Sequence, residues 1–256
     1  MSRNRYQREQ AFYNREIADR WTEDLFDRRV QEARRELLEG KYRRYDRYHY
    51  TYVLLGNLVG KRILECGCGT GLHTVLLSMM GARVSGFDIA EKAAEMALKN
   101  AKRLGVGDRI DITVAAAEDM AYRSASFDLV VGFVALHHFD LSKTIPEILR
   151  VLKPHGRAIF MEPLAESRVL RAVRRLIPLS DHESPGGRQL RYKDIEEIRP
   201  YFSKVSYKEF ELLTRLTRIP VMKRYIPQIR AIDCWLLHHL PTLRRYGRLF
   251  VIEMEK

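Results

Sequence analysis

A glycine-rich segment in the first third of the chain is the strongest candidate for chemistry. Residues 63–71 read Ile-Leu-Glu-Cys-Gly-Cys-Gly-Thr-Gly, with three glycines at alternate positions between a predicted strand and a predicted helix. Because glycine has no Cβ, the backbone can turn tightly there and approach a ligand closely. The first N–H groups of the following helix are free to bind a polar or anionic part of that ligand.

An aspartate at the end of the next predicted strand would complete a ligand site. Asp88 follows Gly71, the last glycine of the turn, by 17 residues. A carboxylate in this position can accept hydrogen bonds from both ribose hydroxyls of an adenosine. The glycine turn and Asp88 therefore predict a nucleoside site at the carboxyl ends of the first two strands.

Charge separates two classes of nucleoside ligand. A dinucleotide site usually has the spacing Gly-x-Gly-x-x-Gly, because a pyrophosphate docks on the helix. Here the spacing is Gly-x-Gly-x-Gly, and Glu65 precedes it. A carboxylate there repels a pyrophosphate and attracts an ammonium group. The pattern favours S-adenosylmethionine, which has an amino-acid end and no phosphate, and makes a nicotinamide dehydrogenase the weakest alternative.

Several segments, taken together, resemble the class I S-adenosylmethionine-dependent methyltransferases. The glycine segment is similar to their motif I, and four later segments follow in the family's order: residues 116–120, 126–130, 136–139 and 150–156. The resemblance covers about residues 60–163. It is closest to the small-molecule branch that includes the ubiquinone- and menaquinone-biosynthesis methyltransferases.

The resemblance implies a set of cofactor-binding residues. The glycines would wrap the methionine moiety of S-adenosylmethionine, with Glu65 near its ammonium group, while Asp88 would hold the ribose and Ile89 would pack on adenine. Ala116 stands where this branch often has an acidic residue for the adenine amine, so Glu118, Asp119 or the backbone of Ala117 would replace it. The implied set is Glu65, Gly67, Cys68, Gly69, Gly71, Asp88, Ile89, Ala117, Glu118, Asp119 and Phe133.

Two adjacent histidines are the candidate catalytic residues. His137 and His138 follow the fourth predicted strand, where either could act on the substrate as a base or orienter, or pack as a structural histidine. Methyl transfer mainly needs alignment and exclusion of water, and a base only when the acceptor loses a proton. Glu162, at the end of the fifth strand, could face the substrate, cap a helix or form a salt bridge. Cys66 and Cys68 lack a zinc-site spacing, so no metal is predicted.

Strands that alternate with helices must position these residues. Predicted strands cover 62–65, 82–88, 110–114, 127–133 and 157–162, with helices at 72–80, 91–104 and 142–151. This order predicts an α/β Rossmann-like fold, with a seven-stranded, mostly parallel sheet and helices on both faces. Strands at 205–212 and 247–254 would form its antiparallel edge, with a helical insertion between them. Further predictions are one helix over 8–39 ended by Gly40, an amphipathic helix or lid at 41–50, helices at 167–179 and 194–201, and a loop at 181–188.

Composition divides the chain into three parts. The 256 residues carry 45 Lys or Arg and 33 Asp or Glu, a net charge of +12, and 46% are hydrophobic. Residues 1–50, a predicted N-terminal helical cap, carry +3, and the predicted cofactor-binding core at 51–164 carries +1. Residues 165–256, which include a predicted substrate cap at about 213–246, carry +8. Such an excess fits RNA, an anionic membrane surface, an acidic substrate or a solvated face.

The insertion and the end of the fourth strand indicate which chemical class of molecule accepts the methyl group. Residues 132–135 are apolar and replace the Asn-Pro-Pro-Tyr-like segment expected for nucleobase or protein-amide acceptors. The insertion combines arginines with an apolar stripe, Ile226, Ile229, Asp233, Leu236, Leu240 and Leu243. We expect a small hydrophobic or lipid-like acceptor, with peripheral contact to an anionic membrane as a further option. An RNA methyltransferase and a non-catalytic binding module are the alternatives. No signal sequence, apolar span or disulfide framework is visible, which predicts a cytoplasmic protein.

Overall fold

Seven strands form one sheet in the order β3-β2-β1-β4-β5-β7-β6. A computed structural model of the chain describes residues 3–39, 46–164, 187–214, 216 and 220–256. The strands are β1 Arg62–Cys66, β2 Arg83–Asp88, β3 Ile110–Val114, β4 Phe127–Phe133, β5 Leu152–Pro163, β6 Lys204–Phe210 and β7 Leu249–Glu255. β1 to β5 pair in parallel, and β7 runs antiparallel to both β5 and β6. The predicted Rossmann-like fold class is confirmed.

Helices cover both faces of the sheet because alternate strand residues point to opposite sides. The described helices are α1 Arg3–Arg20, α2 Glu23–Glu39, α3 Arg47–Leu55, α4 Leu72–Met79, α5 Glu91–Arg103, α6 Leu141–Val151, α7 Tyr192–Ile198 and α8 Ile226–His239. Leu129 and Val131 of β4 pack in one apolar cluster with residues of α2 to α5. Val130, between them, packs in the other cluster with α6 and α7. The neighbours Val130 and Val131 are both fully buried, so the sheet is the centre of the core.

The single helix expected over residues 8–39 is wrong, because two helices meet at Trp21 and Thr22. The Thr22 hydroxyl accepts a hydrogen bond from the N–H of Leu25 at 3.2 Å, which caps α2. Glu23 and Asp24 occupy the first turn of α2, where negative charge is favourable. A threonine followed by two acidic residues was the sequence signal for this second start. Gly40, expected to end the helix, lies outside the described residues.

Other boundaries agree with the sequence to within a few residues, apart from β5. This strand was expected over 157–162 but begins at Leu152, which pairs with Phe127 across a register shift in β4. The last two strands form the expected antiparallel edge. The helix expected at 167–179, the Tyr- and Arg-rich residues 41–45 and most of the loop at 181–188 lie outside the described residues. α3 spans the boundary expected at residue 50, and the division into three domains stays a prediction.

The insertion between β6 and β7 is helical, as expected, but its buried face differs from the expected stripe. α8 buries Ile229, Asp233 and Leu237, whereas Leu240 is 44% exposed. The Asp233 carboxylate accepts hydrogen bonds from the N–H of Leu213 and the hydroxyl of Thr214, at 2.6 and 2.9 Å. A buried polar side chain thus fixes the inward face of α8. None of the helices in the described part of the chain is both long and apolar enough to cross a membrane.

Candidate functional site

A cavity of about 240 Å³ opens at the carboxyl ends of β1, β2 and β4. Open α/β sheets bind ligands at this edge. Eight of the residues expected from the sequence line the cavity: Gly67, Gly69, Asp88, Ile89, Ala117, Glu118, Phe133 and His138. The other five expected residues, Glu65, Cys68, Gly71, Asp119 and His137, lie outside its wall.

Asp88 holds the glycine turn in place. Its carboxylate accepts the N–H of Gly69 at 2.9 Å and the N–H of Ala90 at 2.9 Å. Burial raises the pKa of the Asp88 carboxyl, and these N–H donors oppose the rise. Gly69 has φ +52°, and a Cβ built there would meet no atom within 4 Å, so the backbone borders open space. A ligand could therefore lie directly on the Gly69 backbone beside the Asp88 carboxylate.

Glu65 lies beneath the turn and not on the cavity wall. It is 2% exposed, and the Thr74 hydroxyl donates to its carboxylate at 2.5 Å. Burial raises the pKa of Glu65 to about 8, against the Thr74 hydrogen bond, and the charge of Asp88 adds to the rise. The carboxyl is therefore mainly protonated at neutral pH in the ligand-free protein. A cation brought near it would favour the ionised form.

The chemical character of this cavity fits S-adenosylmethionine. The Asp88 carboxylate offers acceptor oxygens suited to ribose hydroxyls, and the open backbone at Gly69 admits a ligand without a steric clash. Ile89 and Phe139 supply apolar wall suited to an adenine ring. Gly69, Asp88 and Ile89 are the residues that would hold the cofactor.

Gly71 and Cys68, the other expected residues of the turn, pack against neighbouring elements of the fold and do not face the cavity. A Cβ at Gly71 would lie 2.9 Å from the Cβ of Ala97, so the turn presses closely on α5. Cys68 packs against Gly86 of β2, and burial raises the pKa of both the Cys66 and Cys68 thiols. Both thiols are consequently neutral and inert. Asp119, in contrast, is exposed.

His137 and Glu162 form a buried pair beside the cavity. His137 Nδ1 lies 2.8 Å from a Glu162 carboxylate oxygen. The same fully buried carboxylate accepts the N–H groups of Ala135 and Leu136, at 2.9 and 2.8 Å. Because the Glu162 oxygens already accept two backbone N–H groups, we assign the proton of the neutral His137 ring to Nδ1, facing Glu162, and the lone pair to Nε2. Each residue was a separate candidate in the sequence, but their pairing depends on the parallel register of β4 and β5.

His138 has different surroundings. Its Nε2 lies 3.1 Å from the Tyr13 hydroxyl, and its Nδ1 lies 3.7 Å from the Glu9 carboxylate. Burial lowers the pKa of His138 to about 3, and the charge of Arg5 lowers it further. The imidazole is therefore neutral at physiological pH and binds a proton poorly. Of the two candidate histidines, His137 has the arrangement suited to a general base.

Helix α1, part of the predicted N-terminal helical cap, closes one side of the cavity. Glu9, Tyr13 and Ile17 follow one another at intervals of four and line the wall. The side-chain amide of Gln10 donates to the backbone carbonyl of Ile89 at 3.0 Å. The periodicity of Tyr13 and Ile17 was visible, but a helical period does not say which distant surface the helix covers. Ala116, Val134 and Ala135, which the sequence had placed near the ligand, also line the cavity, whereas Phe87, Ala93, Ala115 and Phe139 were not among the expected site residues.

A stack of aromatic rings connects this cavity with a second one. The His73 ring lies 3.6 Å from the Phe133 ring, centroid to centroid, and Tyr48 stacks on the other side at 5.5 Å. Burial lowers the pKa of His73 to about 3, and the charge of Arg47 adds to this. Beyond the stack, a cavity of about 310 Å³ lies between α3, β6 and α8, and Arg47 is in its wall. Helix α8 of the insertion thus covers a second cavity, which lies across the aromatic stack from the candidate cofactor site.

The residue after β4 is strained. Val134 has φ +61°, a left-handed conformation that a β-branched residue rarely adopts, and it is 43% exposed in the cavity wall. Its N–H donates to the Met161 carbonyl at 2.7 Å, which holds the conformation. Such strain is concentrated at functional sites.

We expect Val134→Asn to stabilise the protein by about 1 kcal/mol, because asparagine tolerates this conformation. Chemical denaturation would measure the change. Val114 in β3 is 48% exposed and has no positive φ, so Val114→Asn is the matched control and should be neutral or destabilising. If Val134→Asn and Val114→Asn changed the free energy of unfolding equally, the substitution at Val134 would not have released backbone strain.

Comparisons with known proteins agree with this geometry. Residues 64–160 match the family described as the methyltransferase domain. The 27-O-demethylrifamycin SV methyltransferase of Amycolatopsis mediterranei is 37% identical over 100 residues, which cover 38% of this chain and 37% of that protein. The ubiquinone biosynthesis O-methyltransferase of Idiomarina loihiensis is 37% identical over 105 residues, covering 40% of this chain and 42% of that protein.

The matched segments span less than half the length of these curated relatives. Among solved structures, the [4+2]-cyclase SpnF superposes with a TM-score of 0.57 at 20% identity, covering 81% of this chain and 79% of that one. At this identity the structural likeness describes the fold only. Residues 64–160 contain the glycine turn, Asp88 and the strand-four segment, and it is this part of the chain that matches the methyltransferase domain and is similar to the small-molecule methyltransferases named above.

Proposed function

We propose that this protein transfers a methyl group from S-adenosylmethionine to a small, hydrophobic or lipid-like acceptor. The observation that carries the proposal is the Asp88 carboxylate beside the open backbone of Gly69, inside a segment that matches the methyltransferase domain. The curated relatives, named for 27-O-demethylrifamycin SV and for ubiquinone biosynthesis, support a small-molecule acceptor.

Bound S-adenosylmethionine supplies a methyl group that is already activated by the sulfonium charge. The chain's own task is to align the acceptor and to exclude water. Phe133, Val134 and Ala135 give the cavity an apolar wall at the end of β4, and α1 covers its opposite side. An apolar wall near the reacting centre favours a hydrophobic acceptor over a nucleobase.

We assign His137, which lies beside the cavity and not in its wall, the role of general base for an acceptor hydroxyl, reached directly or through one water. Glu162 keeps the proton on Nδ1 and directs the ring, so Nε2 is available to take the proton that the acceptor loses. Glu162 is a positioning residue, because it acts through His137 and through the N–H groups of Ala135 and Leu136. His138 is assigned to the cavity wall, where it contacts Tyr13.

Incubation with S-adenosylmethionine labelled in its methyl group tests the proposed function. Acceptors would be phenols and catechols with and without a long alkyl chain, together with mixed RNA and a metabolite extract. We expect label in an alkyl-bearing small molecule. Label in RNA alone would establish the RNA methyltransferase, and label in no acceptor, despite cofactor binding, would establish a non-catalytic binding module.

With an acceptor in hand, His137→Asn should lower kcat by about 100-fold or more while the affinity for S-adenosylhomocysteine is unchanged. Glu162→Gln should lower kcat less and shift the pH profile, because the ring remains but loses its charged partner. His155→Asn is the matched control, since His155 lies at the opposite edge of the sheet near Asp128 and Lys61. Full activity of the His137→Asn variant would contradict the assignment of His137 as the general base.

A further inference from the structure

The insertion presents an exposed apolar stripe on the outer face of α8. Tyr225, Ile232, Trp235 and His239 lie at intervals of seven, three and four, so they share one side of the helix. Ile232 is 50% exposed and Trp235 is 57% exposed, and the His239 ring stacks on Trp235 at 4.8 Å. Large apolar side chains at this level of exposure, arranged in a row, mark an interaction surface.

Exposed apolar residues are concentrated in this part of the described chain. Of the 14 large hydrophobic residues that are exposed, six lie between residues 216 and 240: Leu216, Val221, Tyr225, Ile232, Trp235 and Leu240. This concentration is not explained by packing on the sheet, since α8 already buries Ile229 and Leu237 on its inner side.

The segment of sequence that carries the stripe is basic. Residues 213–246 contain seven Lys or Arg and one acidic residue, a net charge of +6. The acidic residue, Asp233, is 4% exposed and is bonded to Leu213 and Thr214 inside the fold, so it does not oppose the basic groups outside. Lys223 and Arg224 are exposed, and the Arg224 guanidinium lies 4.8 Å from the Tyr225 ring.

We propose that this stripe, together with Lys223 and Arg224, is a docking surface for an anionic lipid bilayer. An apolar stripe with tryptophan and tyrosine inserts among acyl chains, while flanking basic residues contact anionic headgroups. RNA binding would instead call for basic residues around stacking aromatics, without aliphatic side chains such as Ile232 and Val221. The mixture of aliphatic, aromatic and basic groups favours a lipid surface.

The inner face of the same helix connects this surface with the site. Arg230, Cys234 and His238 on α8 line the 310 Å³ cavity that adjoins the candidate cofactor cavity. Arg230 also forms a 3.1 Å salt bridge with Asp46 at the start of α3, which fixes the helix over that cavity. Docking α8 on a bilayer would therefore place this second cavity next to the lipid, on the other side of the helix. The surface itself does not depend on the proposed methyl transfer.

Tryptophan fluorescence of the whole chain tests the surface without cofactor or acceptor. The chain has two tryptophans, Trp21 and Trp235, so Trp21→Phe leaves Trp235 as the reporter. We expect a blue shift of its emission with vesicles of phosphatidylcholine and phosphatidylglycerol, and little change with phosphatidylcholine alone. Sedimentation with the same vesicles would give the partition coefficient.

Matched variants separate the apolar and the charged contributions. Ile232→Asn should lower partitioning roughly tenfold through lost apolar burial. Lys223→Glu with Arg224→Glu should lower it by about 25-fold or more, since each basic residue near an anionic surface contributes about fivefold. Val59, which is 72% exposed before β1, gives the control Val59→Asn, which should partition like the wild type.

Absence of a blue shift with the anionic vesicles would overturn the proposal, as would partitioning of Ile232→Asn equal to that of the wild type. Transfer RNA is titrated in the same buffer. If tRNA binds, loses affinity in the charge-reversed variant and keeps it in Ile232→Asn, while vesicles do not bind, the surface is a nucleic-acid contact and the proposal fails. Thermal melting would establish that each variant is folded.

Discussion

Replacing Asp88 with asparagine should weaken the binding of S-adenosylhomocysteine, the cofactor's product, about 100-fold. The substitution keeps the size of the side chain but removes the charge that two ribose hydroxyls would contact. Each hydrogen bond to a charged group contributes about 1.5 kcal/mol at the lower end of its range, and 1.4 kcal/mol is a factor of ten in affinity. Two such bonds therefore account for roughly 100-fold.

Calorimetry with the wild type and Asp88→Asn would measure this change. Asp88 also holds the N–H groups of Gly69 and Ala90, so a thermal melt must show that the variant is folded. An analogue that lacks one ribose hydroxyl separates the two roles, because the wild type should discriminate against it and the variant should not. Asp111→Asn, at an exposed position of β3, is the control. Unchanged affinity in Asp88→Asn would contradict the nucleoside site.

The core of the fold was predictable because its signals are local. The β4 sequence is apolar on both sides of the sheet, and Val130 and Val131 are both fully buried. Such a run indicates a central parallel strand whatever lies further along the chain. The N-terminal helices were harder, since apolar periodicity continues across Trp21 and Thr22. Only the capping chemistry of Thr22 divides them.

The sequence predicted the part of the candidate site that neighbouring strands and their turn form. It did not predict the contacts between elements that are distant along the chain. Gly69 lies in the turn that follows β1, and Asp88, 19 residues later, ends β2, so the parallel pairing of β1 and β2 brings them together. His137 and Glu162 meet through the register of β4 and β5, which a single sequence does not specify. The placement of α1 over the cavity depends on long-range packing.

The inner side of α8 shows how a stripe can be misread. The expected stripe ran from Asp233 to Leu236 and Leu240, whereas the buried face runs from Asp233 to Leu237. Each assignment is compatible with helical spacing, and the insertion has apolar residues on more than one side. The hydrogen bonds of Asp233 with Leu213 and Thr214 decide which side faces inward. The apolar residues left outside form the surface proposed to dock on lipid.

Glu65 should couple cofactor binding to the release of a proton. In the ligand-free protein, burial raises the pKa of Glu65 to about 8, so the carboxyl is protonated at pH 7. If the ligand's ammonium group lies near it, the carboxylate form is favoured and this pKa falls in the complex. Below pH 8, binding must then expel a proton, and affinity rises with pH by up to about tenfold per unit. Above about pH 8 Glu65 is already ionised in the ligand-free protein, so binding no longer expels a proton and the rise ends.

We therefore expect the affinity for S-adenosylhomocysteine to increase from pH 6 to a maximum near pH 8, with release of about one proton at pH 7. Calorimetry in buffers of different ionisation enthalpy would count that proton. Glu65→Gln should bind with little pH dependence over the same range, because its side chain cannot ionise. Methylthioadenosine is the matched ligand, since it keeps the nucleoside and lacks the amino acid. It should bind without this pH dependence, which also excludes Asp88 as its source. A wild type that releases no proton, or a pH dependence that survives in Glu65→Gln, would show that Glu65 does not meet the ammonium group.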